Sequence, residues 1–338
     1  MKKLVFLLFV ILIICLYCGG NYITSIEIVD WYDNKDAAIS LTFDDGTDDH
    51  IYYAVPLLEE MGFKATFYLI TSNINDWQAW DIIHEKGHEI GSHTVSHLNL
   101  KHLSLSEMEE ELKKSYEIII KNINGANCLS IAYPYGGVND EIVHLSMKYY
   151  IAGRGARKSK NYINTYKTMN LFGLQSIGLW EQTNIDQLNN LVQETINSKG
   201  WLIETVHGIQ NYNDSEKNIR VGWKPVDFNL LERHYNFLKN LSDKLWIAPV
   251  AEIASYINEK INSSIIFYKN KRNSYIIEIK YLNYNELCIV PVTLRINCRK
   301  GISIKSVMQG DKRLSFRCAG DSCYVNIKPN EEAVKIEF

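Results

Sequence analysis

The stretch SLTFDDGTDDH, Ser40 to His50, decides how the chain is read. Small polar and apolar residues alternate from Ser40 to Phe43, as in a buried β-strand, and run straight into Asp44 and Asp45. Asp48 and Asp49 follow Gly46, so four carboxylates fall within six positions. Like charges at that density destabilise a packed strand end unless a cation or a proton relieves them. Taken alone, the segment leaves two readings open: a solvated acidic turn, or one wall of a cation site. Asp48 and Asp49 are expected to sit in the first turn of the next helix and to complement its dipole.

Outward from this strand, short apolar runs alternate with longer stretches of helical period. Strands are expected at 37–43, 64–70, 88–93, 128–133, 149–153, 201–207 and 244–248. Helices are expected near His50–Met61, Trp77–Lys86, Asn139–Lys148, Ile185–Ser198, Asp227–Leu241 and Val250–Lys260. A further helix opens at Ser104 with Glu107 three residues on, a capping-box spacing that puts Met108, Leu112, Tyr116 and Ile119 on one face. Strands separated by helices imply parallel β/α units, which gather functional groups where the strands end. After Asn262 the pattern becomes short strands and turns without helices, as in a small all-β sandwich. The expected divisions are 1–20, 36–260 and 265–338.

A formal charge of −3 gives no basic footprint of the kind that neutralises phosphates, which argues against nucleic acid as a partner. Lys2 and Lys3 precede a fifteen-residue apolar run, Leu4 to Cys18. That run is short for a membrane span of about 20 residues and suits an export signal. Cys18 before Gly19 and Gly20 resembles a lipoprotein cleavage site, although Leu16 and Tyr17 fit it poorly. Lipid attachment at Cys18 and an uncleaved N-terminal anchor therefore stay open, and the chain is expected to be exported to the periplasm, the cell surface or the medium. An exported chain can form disulfides. Cys318 and Cys323 flank a plausible turn and are either bridged across it or free like Cys128, Cys288 and Cys298.

The segment HEIGSHTVSHLNL places His93 and His97 four positions apart, directly after a strand end. In a parallel barrel that rim is the one that carries Asp45. Two imidazoles and one carboxylate form a three-ligand donor set of the catalytic zinc type, with one position left for water.

TFDDG at 42–46 and HTVSH at 93–97 resemble the first two motifs of the polysaccharide deacetylase family, also called the NodB homology domain or carbohydrate esterase family 4. AYPYG at 132–136 resembles its third motif and ETVHG at 204–208 its last. The resemblance implies a distorted (β/α)7 barrel that hydrolyses acetyl groups from a polysaccharide or oligosaccharide. It also implies one divalent metal, zinc before cobalt, nickel or manganese. By position, Asp45, His93 and His97 would bind the metal, Asp44 would be general base and His207 general acid. The backbone N–H of Tyr135 would face the oxyanion.

Two departures accompany it. The family's arginine two residues before the third-motif proline is replaced by Ala132, and Arg154, at another strand end, is the candidate to support Asp44 instead. The fourth-motif aspartate has no counterpart in LQSIGLW at 174–180. Both losses would also suit a non-catalytic glycan-binding barrel, but binding alone does not need a base, three ligands and an acid together. Pro134, Tyr135, Trp180 and Trp223 are the residues expected to meet sugar. The other six histidines, His50, His84, His88, His102, His144 and His234, are read as bystanders.

Overall fold

The computed structural model describes residues 21–155, 162–166, 169–214, 219–281, 290–329 and 331–338. The export signal expected at 1–20, with Cys18, and Cys288 lie outside them. Among the described residues no helix is long and apolar enough to cross a membrane.

Strand β1 (Ile23–Ile28) pairs with residues far along the chain, and the barrel begins at β2 (Ala37–Asp45). Then come β3 (Thr66–Leu69), β4 (Glu89–Ser92), β5 (Ser130–Ala132), β6 (Ala152–Arg154), a short β7 (Ile163–Asn164), β8 (Ile177–Leu179) and β9 (Trp201–Val206). The parallel row runs β6-β5-β4-β3-β2-β9, with β8 on the far side of β9. The backbone just before β8 bonds to β6, Gly153 N to Leu171 O at 2.7 Å and Leu174 N to Gly153 O at 3.1 Å. Residues 171–179 therefore close the row into a seven-membered ring.

All seven expected strands are present, but the last, β12 (Leu245–Ile247), is not a ring member. It pairs only with Ala37–Ile39, on the edge of β2 that β3 takes over at Thr42. Two strands sharing one edge of β2 distort the barrel. Two shorter strands, β10 (Ile209–Gln210) and β11 (Val226–Asp227), pair with each other beyond the end of β9.

The helices are α1 (Val55–Met61), α2 (Trp77–Glu85), α3 (Leu105–Asn122), α4 (Asp140–Ser146), α5 (Ile185–Asn197), α6 (Phe228–Lys239) and α7 (Val250–Asn262). The capping box at Ser104 and Glu107 forms as its spacing predicts, and Met108, Leu112 and Ile119 are buried. Such a cap contributes about 1 kcal/mol.

Period-two alternation sorts β2 into an outer and an inner face. Ile39, Leu41 and Phe43 join the hydrophobic core. The inner face is polar and closely bonded. Ser40 Oγ accepts from Trp201 Nε1 at 3.1 Å, and Thr42 Oγ1 lies 3.2 Å from Thr205 Oγ1. Glu89 accepts from Thr66 Oγ1 at 2.7 Å and Ser130 Oγ at 2.5 Å, and Ser130 Oγ is 2.9 Å from Tyr68 Oη. Gly91 sits beside Tyr68 in register, and a Cβ there would lie 2.6 Å from the phenol ring. A side chain at 91 would push Tyr68 off its place in the lumen.

Residues 21–34 and 256–338 form a separate compact unit. It has a five-stranded sheet, β13 (Ser263–Lys271), β14 (Ser274–Tyr281), β20 (Val334–Glu337), β16 (Ser306–Gln309) and β17 (Lys312–Arg313), in spatial order. Its four-stranded sheet is β1, β15 (Val292–Cys298), β19 (Ser322–Ile327) and β18 (Phe316–Ala319). Alternate residues such as Leu294, Ile296, Val325, Ile327 and Ile336 are buried. Cys318 and Cys323 are bridged, while Cys128 and Cys298 are free and buried.

Candidate active site

Strand β2 ends by turning both carboxylates toward the rim. Asp44 is still in extended strand and buried; Asp45 adopts a φ of +77°, a left-handed conformation that redirects its side chain. The two acids then meet different partners. Arg154 Nη2, from the end of β6, lies 2.6 Å from Asp44 Oδ1 and 2.5 Å from Oδ2. The guanidinium is itself placed by Ser176 Oγ at 3.3 Å from Nη1 and by the face of Tyr68, 5.4 Å below it. Burial pushes the Asp44 carboxyl up, but Arg154, with His93 and His207, outweighs it and holds the group at about 2.

Asp45 has no such support. Its Oδ1 is buried without a hydrogen-bond partner among the described residues. Burial first, and then the charge of Asp44, push this carboxyl up to about 6. His93 Nε2 lies 3.6 Å from that oxygen and His97 Nε2 lies 3.9 Å from it. One ligating atom from each of the three residues falls within 4.8 Å of the others.

The histidine turn is held from behind. His93 Nδ1 donates to the Ala132 carbonyl at 2.6 Å, which leaves Nε2 as the lone-pair nitrogen facing Asp45. Burial keeps His93 neutral, down to about 4, the form a ligand needs. Thr94 and His97 both have positive φ, 65° and 58°. Glu111, on α3, fixes this tight turn: its Oε2 accepts from Val95 N at 2.9 Å and Ser96 N at 3.0 Å, and its Oε1 from Ser96 Oγ. Two imidazole nitrogens, one orphaned carboxylate oxygen and a fixed tautomer fit a tetrahedral dication with one open position.

The remaining predicted residues gather at the same rim. His207 Nε2 is 3.6 Å from Asp44 Oδ2. Its carbonyl accepts from His50 Nε2 at 3.0 Å, so His50, read as a bystander, braces the end of β9. Asp48 and Asp49 stand at the start of the helical segment after β2, as expected, and their side chains also reach the loop beyond β9. Asp49 Oδ2 accepts from Ile209 N at 2.5 Å and Asp48 Oδ2 from Arg220 N at 3.2 Å, so both tie down the loop that follows His207. Pro134 is buried. Tyr135, at φ +56°, is exposed with its ring centroid 4.8 Å from that of His97. Trp223 meets the His207 ring edge-on at 5.3 Å, and Lys224 Nζ sits over the rings of both Trp223 and Trp180.

Residues 32–152 match the family described as Polysaccharide deacetylase. Over these residues the chain is similar to the polysaccharide deacetylase family. The matched segment holds Asp44, Asp45, His93, His97 and the Pro134–Gly136 turn; Arg154 and His207 lie beyond it. Among relatives, a gellan lyase from Bacillus sp is 24% identical over 330 residues, covering 90% of this chain and 13% of that protein. A chitin deacetylase from Arthroderma benhamiae is 32% identical over 108 residues, covering 31% of this chain and 29% of the relative. The chain thus spans well under two thirds of the length of these two relatives. A solved structure, the Xyl-CE4 domain of a multidomain xylanase from the hindgut metagenome of Trinervitermes trinervoides, is 19% identical. The match covers 64% of this chain and 89% of that one, with a TM-score of 0.43.

Several residues of this candidate site are not evident in the sequence motifs. Tyr68 and Ser176 hold Arg154, Glu111 holds the histidine turn, and Lys224 completes the aromatic rim. A carboxylate at 111 has the spacing of an ordinary helix-surface acid, and nothing local marks it as a clamp.

Proposed function

We propose that the protein is an exported, metal-dependent hydrolase that removes N- or O-acetyl groups from a polysaccharide or oligosaccharide. One observation carries this reading: the buried Asp45 Oδ1, without a hydrogen-bond partner, faces two imidazole nitrogens, while its neighbour Asp44 is paired with Arg154. Asp45, His93 and His97 would hold the ion, most simply zinc. When bound, such a dication supplies Lewis acidity to the acetyl carbonyl and to a water molecule.

The chain's own groups do the rest. Asp44, kept ionised by Arg154, takes the proton from the attacking water. The tetrahedral oxyanion is met by the backbone N–H of Tyr135, whose positive φ supports a turn aimed at the rim. His207, 3.6 Å from Asp44, hands a proton to the departing sugar nitrogen or oxygen. The Arg154–Asp44 pair supports catalysis over a merely glycan-binding barrel, because it supplies the guanidinium that Ala132 lacks.

The test is metal analysis of the purified protein alongside acetate release from acetylated chitooligosaccharide and acetylated xylan, each with and without chelator. Stoichiometric dication and chelator-sensitive acetate release are expected. Equal metal content in wild type and Asp45→Ala would overturn the ligand assignment.

A further inference from the structure

The loop after β10 reaches back to the catalytic histidine by backbone contact. A Cβ on Gly222 would stand 1.6 Å from the His207 carbonyl oxygen, and Val226 N donates to Gly208 O at 2.8 Å. The next two residues, Trp223 and Lys224, are therefore set beside His207 by main chain rather than by flexible side chains. Trp223 is 58% and Trp180 38% exposed, large for indoles placed this close to a buried charged centre. Lys224 Nζ lies 4.5 Å from the centroid of Trp223 and 5.9 Å from that of Trp180.

The cation thus lies over both indole rings, nearer to Trp223. Glu181, next to Trp180, accepts from Gln182 Nε2 at 3.3 Å, and among the described residues no carboxylate lies within ion-pair distance of Lys224. On the same loop Arg220 Nη2 donates to Gly46 O at 2.6 Å, adding a second positive group on the flank next to Asp45.

We infer that Trp180, Trp223 and Lys224 form a subsite for a carboxylate-bearing sugar, placed so that the acidic group belongs to the acetylated unit or its immediate neighbour. Indole faces take the apolar side of a pyranose, and a lysine held over them adds a point charge that a neutral sugar cannot use. This rests on the deacetylase reading for its substrate and names the class that reading leaves open. Two glycan chemistries carry such a group: a lactyl ether carboxylate, as in muramic units, and a ring carboxylate, as in uronic units.

Three probes separate these outcomes: chitotetraose, a peptidoglycan tetrasaccharide of alternating glucosamine and muramic units, and an acetylated tetraglucuronate. Dissociation constants are measured by calorimetry with EDTA present, so that no turnover is needed, and KM and kcat are measured with metal restored. One acidic probe is expected to bind about five-fold more tightly than chitotetraose, as one partly exposed ion pair allows. Lys224→Gln should erase most of that difference, and raised salt should narrow it. Lys113→Gln, on the exposed face of α3, is the control and should leave it intact. Equal affinity for all three probes, or a preference that survives Lys224→Gln, overturns the inference. A carboxylate preference without acetate release from any probe leaves the subsite standing and removes the deacetylase reading instead.

Discussion

Arg154 Nη2 reaches both oxygens of Asp44 from a strand four places away in the sheet order, at 2.6 and 2.5 Å. This pair answers half of the problem posed by two adjacent acids: Asp44 is neutralised from inside the protein, while the Oδ1 of Asp45, one residue on, has no hydrogen-bond partner among the described residues. Removing Arg154 leaves Asp44 buried and unpaired, so Arg154→Ala should cost about 3 kcal/mol of stability. It should also lower kcat about a hundredfold while metal content stays near wild type, with partial recovery in Arg154→Lys. Unchanged turnover in Arg154→Ala would show that the pair has no part in the reaction.

Asp45 gives a prediction of opposite sign for stability and function. Its carboxyl, pushed up to about 6 by burial and by Asp44, is strained in the metal-free fold. Under chelator, Asp45→Asn should raise the unfolding free energy at pH 7 by about 1–2 kcal/mol, since two pKa units correspond to roughly that scale after partial exposure is allowed for. The same substitution should abolish the stabilisation that added zinc confers on wild type. Thermal unfolding with EDTA and with zinc reads both effects. If Asp45→Asn is less stable than wild type under chelator, the carboxylate is not strained.

The β/α alternation was legible because each ring strand except one is a short apolar run bounded by turn residues. The exception is instructive. LQSIGLW contains Gln175, Ser176 and Gly178, so it does not read as a strand, yet its backbone closes the ring and Ser176 orients Arg154. Strand β1 was missed for a different reason: ITSIEI lies outside the β/α alternation and pairs with residues some 270 positions away. At the site, the motif residues were legible because strand ends converge in a parallel barrel. Glu111, Tyr68 and Lys224 were not, because their roles come from which helix or loop passes behind a motif.

His88 makes stability depend on pH away from the candidate site. Its Nδ1 accepts from Ala65 N at 3.1 Å, so Nε2 carries the proton toward Glu59 Oε1 at 3.2 Å. Burial, with Lys64 and Lys86 nearby, outweighs Glu59 and holds the imidazole down to about 4. Phe67 packs against its face edge-on. The unfolded chain binds this proton near pH 6.5. Above that value neither state is protonated; below it the unfolded state gains protons first, so stability falls as pH drops toward 4. Between pH 7 and pH 5 the loss should be about 2 kcal/mol. Urea unfolding of wild type and His88→Gln at both pH values isolates it. A variant that loses as much as wild type would assign the dependence elsewhere.

Glu111 offers the sharpest separation of site from scaffold. Its carboxylate takes two backbone N–H groups and a hydroxyl from Val95 and Ser96, between the two histidines, from a half-buried position at the edge of the buried stripe of α3. Glu111→Ala therefore removes no core volume, and its cost to the global fold should stay within about 1 kcal/mol. The turn, however, is built on two residues with positive φ, Thr94 and His97, and depends on that clamp to keep its shape. Loss of an orienting partner behind a metal ligand typically weakens metal affinity by about 10–100-fold. Competition against a zinc chelator of known affinity should show a loss of that size in Glu111→Ala and partial recovery in Glu111→Gln, whose amide oxygen still accepts. Wild-type affinity in Glu111→Ala, with the fold intact by circular dichroism, would mean that the His93 Nδ1 bond to Ala132 orients the turn without help from α3.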